Sequence, residues 1–164
     1  MIRAAAVEEA DELAELHVRC WRETYAGIMP ASYLANLKAA DRVETWASLL
    51  VMPDRFVRVA GAEPCGFVMS GPRRASMPDH ADGEIYSIYL LQSAQGQGLG
   101  QMLFNAALQD WRGRGGQSVQ LSVAAANSKA RGFYERMGGV VVGEGSFQVE
   151  CHDVPEVIYR FPRA

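Results

Sequence analysis

The sequence predicts an α+β fold, one mixed sheet with helices on both faces, and three observations predict it. Helical periodicity dominates residues 7–50 before any strand pair is met. A strand-helix-strand unit then occupies 84–123, and two strand-like runs close the chain after one further helix. The crossover unit requires a parallel strand pair, whereas a hairpin before it requires an antiparallel one.

Residues 2–6 read as a short first strand. From 7 to 25, Ala10, Leu13, Ala14, His17, Cys20 and Trp21 recur at steps of three and four. That spacing makes a helix with one buried stripe, which Gly27 and Pro30 stop. Shorter helices follow at 30–37 and 41–50, the second carrying Val43, Trp46, Ala47 and Leu50 on one face. The β-rich runs 56–60 and 65–70, joined by Gly61, Ala62, Glu63 and Pro64, form an antiparallel hairpin, and 71–83 is a turn-rich loop.

Residues 84–91 concentrate Tyr and Ile and read as a strand, whose alternation sets Glu84, Tyr86 and Ile88 on one face. The next helix runs to about 112 with Leu99, Met102, Leu103, Ala106, Ala107 and Trp111 inward; Gly113, Gly115 and Gly116 end it, and 118–123 is a strand. Asn127 caps a helix through Arg136, which Gly138 and Gly139 stop. The closing strands are 139–143 and 154–161.

A chain of 164 residues is long enough for one core and short for two, so 1–164 reads as a single domain. A formal net charge of −3 supplies no general attraction for a polyanion, which argues against a nucleic-acid partner. Residues 85–109 carry no charge, but Gln92, Gln95, Gln97 and Gln101 and the glycines among them break any membrane span. Residues 1–16 carry five acidic side chains where a secretory signal would need an apolar stretch. Cys20, Cys65 and Cys151 are widely spaced, without a Cys-x-x-Cys arrangement. They read as small buried hydrophobes in a reducing cytoplasm.

The chemistry concentrates in Gln95-Gly96-Gln97-Gly98-Leu99-Gly100, between a strand and a helix. Free main-chain N–H groups and the positive end of a helix dipole can hold phosphate there. A tight turn that needs glycine only for its geometry is the competing reading. The dinucleotide fingerprint fails because Gln101 stands where its third glycine belongs, and the P-loop fails because Gln101-Met102 replaces Lys-Ser/Thr.

Gln95, Gly98 and Gly100 do fit Gln-x-x-Gly-x-Gly, and 127–138 fits Asn-x-x-Ala-x-x-Phe-Tyr-x-x-x-Gly through Asn127, Ala130, Phe133, Tyr134 and Gly138. Together these resemble the GCN5-related N-acetyltransferase (GNAT) superfamily, and residues 21–27 look like bacterial members of it. The resemblance follows element order over most of the chain. It departs at Gln92, where proline is common, at Gln95, often arginine, and at Gly139, usually aromatic.

The resemblance implies a mostly antiparallel central sheet with a parallel pair splayed at the cofactor site. It implies acetyl-CoA as acyl donor and no metal, with the main chain of Tyr89, Leu90 and Leu91 along the pantetheine arm and Asn127 touching it. Gln95, Gly96, Gln97, Gly98, Leu99, Gly100 and Gln101 would hold the pyrophosphate. Tyr134 would protonate the departing thiolate. Glu84 matches a position where many members carry a water-linked glutamate, and it would deprotonate the acceptor.

A base is required because a primary ammonium of pKa about 10 cannot attack a thioester. The other candidates are His17 on the buried stripe and His80 and His152 in turns. Trp21, Tyr25 and Phe147, with Tyr33, would line the acceptor pocket, and Glu23, Glu144 or Glu156 there would favour a cationic amine. The implied partner is a small-molecule or peptide amine, with no nucleic acid or membrane, and a homodimer is common in the family. A larger acyl-CoA, or a non-catalytic CoA-binding sensor, is the alternative.

Overall fold

The computed structural model describes residues 1–162. Seven strands make one sheet in the order β1-β2-β3-β4-β5-β7-β6, where β1 is Ile2–Ala4, β2 Phe56–Ala60, β3 Gly66–Pro72, β4 Gly83–Leu90, β5 Val119–Ala124, β6 Val140–Val149 and β7 His152–Phe161. Every neighbouring pair is antiparallel except β4 and β5, which are parallel. The helices are α1 (Ala10–Tyr25), α2 (Ala31–Ala35), α3 (Val43–Leu50), α4 (Leu99–Gly113) and α5 (Ser128–Arg136).

One face of the sheet packs on α4 and α5. Leu103, Phe104 and Ala107 of α4 and Tyr134 of α5 meet Val68, Ile85, Leu121 and Tyr159. The other face packs on α1 and α3, where Leu13, Ala14, Cys20 and Trp46 meet Val59 and Phe67. Fully burying side chains of this size is worth about 1.5–3 kcal/mol each, so the two layers fix the sheet between them. Arg58 of β2 grips Asp110 of α4, with Nε–Oδ2 at 2.8 Å, and sets that helix against the sheet.

The strand alternation expected for 84–91 is broken. Met69 pairs with Ser87 and Ser70 with Ile85, so Tyr86 is an extra residue in a β-bulge. Glu84 therefore shares its face with Tyr86, Ser87 and Tyr89, while Ile88 joins Val68 in the core under α4. The closing strands are longer than expected, because the ladder continues through Gly143 and Gly145 to Val149 and turns at Glu150, whose φ is 55°. Cys20 is buried and inert, its thiol pushed up to about 12 by burial, but Cys151 is exposed at that turn and does not behave as a buried hydrophobe.

Candidate active site

The parallel pair is joined only at Gly83–Val119 and Glu84–Gln120. Beyond those pairs β4 stays with β3 as far as Leu90, and β5 stays with β7 as far as Ala124. The sheet thus carries a seam that opens toward the C-terminal ends of β4 and β5. Leu91, just past β4, spends its N–H on Cys65 and its carbonyl on Ala94, both at 2.9 Å, and its side chain is buried. The Leu91 main chain is thereby taken out of any pairing along the seam. The Leu90 carbonyl itself accepts a 2.9 Å bond from the Gln95 side chain.

That strand leads into the glycine loop and the N-terminus of α4. Gly96 and Gly98 adopt φ of 77° and 79°, the left-handed region that side chains resist, and nothing lies near the space a Cβ would fill. Their conformation, not crowding, requires glycine. The first turn of α4 has no acidic residue and no side-chain cap, and its first internal bond is Met102 N to Gly98 O at 3.1 Å. Leu99, Gly100 and Gln101 therefore present N–H groups at the positive end of the dipole, a ready anion site. Lys129, in the first turn of α5, places its ammonium on the Gln95 side chain beside this loop. Sequence reading passed over Lys129, because only the tertiary contact between α5 and the loop gives it meaning.

Asn127 caps α5 through Oδ1, which accepts from Ala130 N at 3.2 Å. Two turns on, Tyr134 is buried among Phe133, Tyr159 and Phe161. Burial, and then the neighbouring Tyr25, push its phenol well above the usual tyrosine range. Tyr89 is raised as well, by burial and by Tyr25, with Tyr134 adding to the effect. The three phenols belong to one electrostatic neighbourhood across the seam. All stay protonated at neutral pH, the form a proton donor needs.

Glu84 is 1% exposed. One carboxylate oxygen receives Arg74 Nε, while the other is buried without a hydrogen-bond partner. Burial raises its pKa, against the pull of Arg74 and more weakly of Arg55 and Arg73. On the same face Ser87 Oγ, Gln120 Nε2 and Ser122 Oγ are also buried without partners. Glu156 of β7 lies near enough for Glu84 to raise its pKa, after burial and against Arg74. Arg74 was not singled out from the sequence, because a single arginine in a turn-rich loop carries no signal of what it folds onto.

Trp21, Tyr25 and Phe147 come together, with Tyr33, in a third apolar cluster beside Tyr89. The carboxylates expected beside them separate. Glu23 accepts Gln92 N at 2.8 Å and ties α1 to the segment after β4, Glu144 is exposed on β6, and Glu156 stays near Glu84. His17 is not a plain core residue: it borders a cavity of about 400 Å³ among α1, α2 and α3, with Trp46 and Met69 on its floor and Lys38, Asp41 and Arg42 around it. Burial, then Arg42, lower the His17 pKa to about 3, so it is neutral and a poor base. His80 sits in the loop over Gln120 and His152 is exposed at the start of β7. Among the described residues no cluster of His, Cys, Asp and Glu could hold a metal ion, and no helix is long and apolar enough to cross a membrane.

Residues 10–139 match the family model described as the acetyltransferase (GNAT) family. A curated relative, the uncharacterised N-acetyltransferase YuaI of Bacillus subtilis (strain 168), is 29% identical over 98% of this chain and 92% of its own length. Another, the "Probable N-acetyltransferase Rv2775" of Mycobacterium tuberculosis, is 31% identical over 99% of this chain and 94% of its own. Among solved structures, the PaiA N-acetyltransferase of Thermoplasma acidophilum, in complex with coenzyme A, superposes with a TM-score of 0.80 at 21% identity, covering 99% of this chain and 98% of that one.

Proposed function

The chain belongs to the GNAT acetyltransferase family, and from that premise we propose that it transfers the acetyl group of acetyl-CoA to a primary amine of a small molecule or peptide, by direct attack in a ternary complex. It is an N-acetyltransferase by family. The observation that carries the finer reading is the seam between β4 and β5, which opens onto an uncapped helix N-terminus preceded by two left-handed glycines. Coenzyme A in the Thermoplasma acidophilum structure supports the same donor class.

In this reading the pantetheine arm pairs with main-chain groups of Tyr89 and Leu90 as an added strand, with Leu91 closing the apolar wall and Asn127 at the far side. Residues Gln95, Gly96, Gln97, Gly98, Leu99, Gly100 and Gln101 receive the pyrophosphate, and Lys129 adds a positive charge there. A main-chain N–H near Leu90 polarises the acetyl carbonyl, and the tetrahedral oxyanion that forms is held by the same donor. Glu84 takes the proton from the acceptor ammonium through the polar face it shares with Ser87, Gln120 and Ser122. The free amine attacks the thioester carbon, the C–S bond breaks, and Tyr134 gives its proton to the thiolate. The surplus proton on the new amide nitrogen goes to the Tyr134 phenolate and restores it, while Glu84 releases its own proton to solvent. Trp21, Tyr25 and Phe147 form the apolar wall of the acceptor side.

We further read residues 1–164 as one domain that works in a reducing cytoplasm, which three unpaired cysteines support. The first test is calorimetric titration with acetyl-CoA against NAD and ATP. Selective saturable binding is expected, followed by thiol release and a mass gain of one acetyl group when an amine panel is supplied. Propionyl- and succinyl-CoA in the same assay read the acyl preference. Absence of acetyl-CoA binding by folded protein overturns the donor site.

A further inference from the structure

We propose that Arg74 stands in for the cation of the acceptor: its guanidinium holds Glu84 while the site is empty, and a cationic amine takes over that contact as the Arg74 side chain swings to solvent. The proposal rests on the reading of Glu84 as part of the acceptor site.

The two partners are unequal. Glu84 is 1% exposed and Arg74 is 49% exposed, so a carboxylate fixed in the sheet is covered by a side chain that already borders water. Its other oxygen is buried without a donor, and Ser87, Gln120 and Ser122 leave polar atoms unpaired on the same face. Buried polar atoms without partners are costly, and a ligand ammonium, with three N–H donors, can satisfy the free Glu84 oxygen and the serine hydroxyl oxygens, which one guanidinium nitrogen does not. Gln120 Nε2 is itself a donor and is not served by it.

The loop carrying Arg74 is anchored without it. Arg73 N donates to Asp82 O at 3.0 Å, the Arg73 side chain reaches Met77 O at 2.8 Å, His80 N donates to Gln120 at 3.1 Å, and Arg160 holds His80 O at 2.7 Å. Besides Glu84, the Arg74 guanidinium has the Tyr86 ring at 5.3 Å, a ring that Arg55 already covers at 4.7 Å. Swinging Arg74 out therefore leaves the loop in position.

Charge balance points the same way. The groups facing Glu84 are Arg74, Arg73 and Arg55 from the segments flanking β2 and β3, with Glu156 on β7 and the Tyr86 hydroxyl on β4 itself. With Arg74 withdrawn, Arg73 and Arg55 remain but are ion-paired elsewhere, with Asp79 and Asp54, so the carboxylates of Glu84 and Glu156 favour a cation over an anion. An internal competitor lowers apparent affinity by the fraction of time the site is free of it.

The experiment is calorimetric titration of the full chain with n-butylammonium and, as an anion of equal length, butyrate. It uses the wild type, R74A, R74Q and R74A/E84Q. R74A and R74Q should bind butylammonium about tenfold more tightly than the wild type, the effect of removing one ion pair of moderate strength. The added E84Q change should abolish that gain, and butyrate should bind none of the four. Equal or undetectable butylammonium binding in wild type and R74A overturns the proposal. Butyrate binding that is lost with Arg74 overturns it too, since Arg74 would then receive an anion. Acetyl-CoA titration of the same proteins keeps the two readings apart: its failure removes the donor site, whereas the butylammonium comparison reports on Arg74 alone.

Discussion

The hydroxyls of Tyr25, the last residue of α1, and Tyr89, near the end of β4, stand 2.7 Å apart. Their rings meet nearly edge to face with centroids at 6.2 Å, and Trp21 packs on Tyr25 at 5.0 Å. The bond pins the helix that carries Trp21 and Tyr25 to the strand that borders the seam. Helix position and strand position are thereby coupled through one pair of phenols.

Removing one of these hydroxyls leaves the other enclosed without its partner. Y25F should cost about 1–3 kcal/mol, and Y25F/Y89F less than the sum of the single changes, because the double variant strands no polar atom. Urea unfolding of the four proteins checks this, and strictly additive losses would show that the two hydroxyls do not depend on each other.

Glu84 gives a pH signature with opposite signs in rate and stability. In its proposed role as base it must be ionised, and burial raises its pKa above the ordinary 4.5, so kcat/KM should climb through that raised value on the acid side. E84Q should erase the climb and slow the reaction. A carboxyl whose folded pKa is raised adds stability below the unfolded value, and that stability is lost as pH rises through the folded one. E84Q should thus melt higher than wild type at neutral pH, with the gap closing below the ordinary glutamate value. An E84Q protein with the wild-type rate profile would remove Glu84 from the chemistry.

Y134F should lower turnover by about 10–100-fold, near the low end of general acid catalysis because a thiol is already a fair leaving group. Acetyl-CoA affinity should hardly change, since the ring and its packing remain. Steady-state kinetics beside calorimetry separate the two, and unchanged turnover would reject the acid role.

The glycine loop and Lys129 should fail in different ways. G98A forces alanine to a φ of 79°, at about 1–2 kcal/mol, and should weaken acetyl-CoA binding together with thermal stability. K129A should weaken acetyl-CoA binding without a stability loss, and the deficit should shrink as salt rises, because an exposed charge is screened. Equal salt dependence in wild type and K129A would exclude a contribution from Lys129.

Most of the fold was legible because local patterns determine it. The hairpin at β2 and β3, the crossover through α4 and the cap at Asn127 follow from periodicity, turn residues and a single side-chain oxygen. The seam was implied by resemblance, since two parallel strands that part company leave no mark on either strand alone. The bulge at Tyr86 was illegible for a related reason: one extra residue in β4 shows only against its partner Met69, and missing it turned Ile88 to the wrong face. Arg74 and Lys129 were invisible because a charged side chain in a loop or on a helix has no period. His17 has the apolar spacing of a core position, which predicts an inward side chain, while the structure gives it a cavity wall.

An unfinished sheet also makes the protein's endurance a matter of supply. A donor molecule that completes the seam binds only the folded chain, and occupancy at a hundred times its dissociation constant would add about 2.7 kcal/mol of resistance to unfolding. The same strands that await a substrate would then register how much of it the cell holds. Starved of thioester, the population would unfold more often and yield sooner to proteases. Copy number would follow metabolic state with no dedicated regulator.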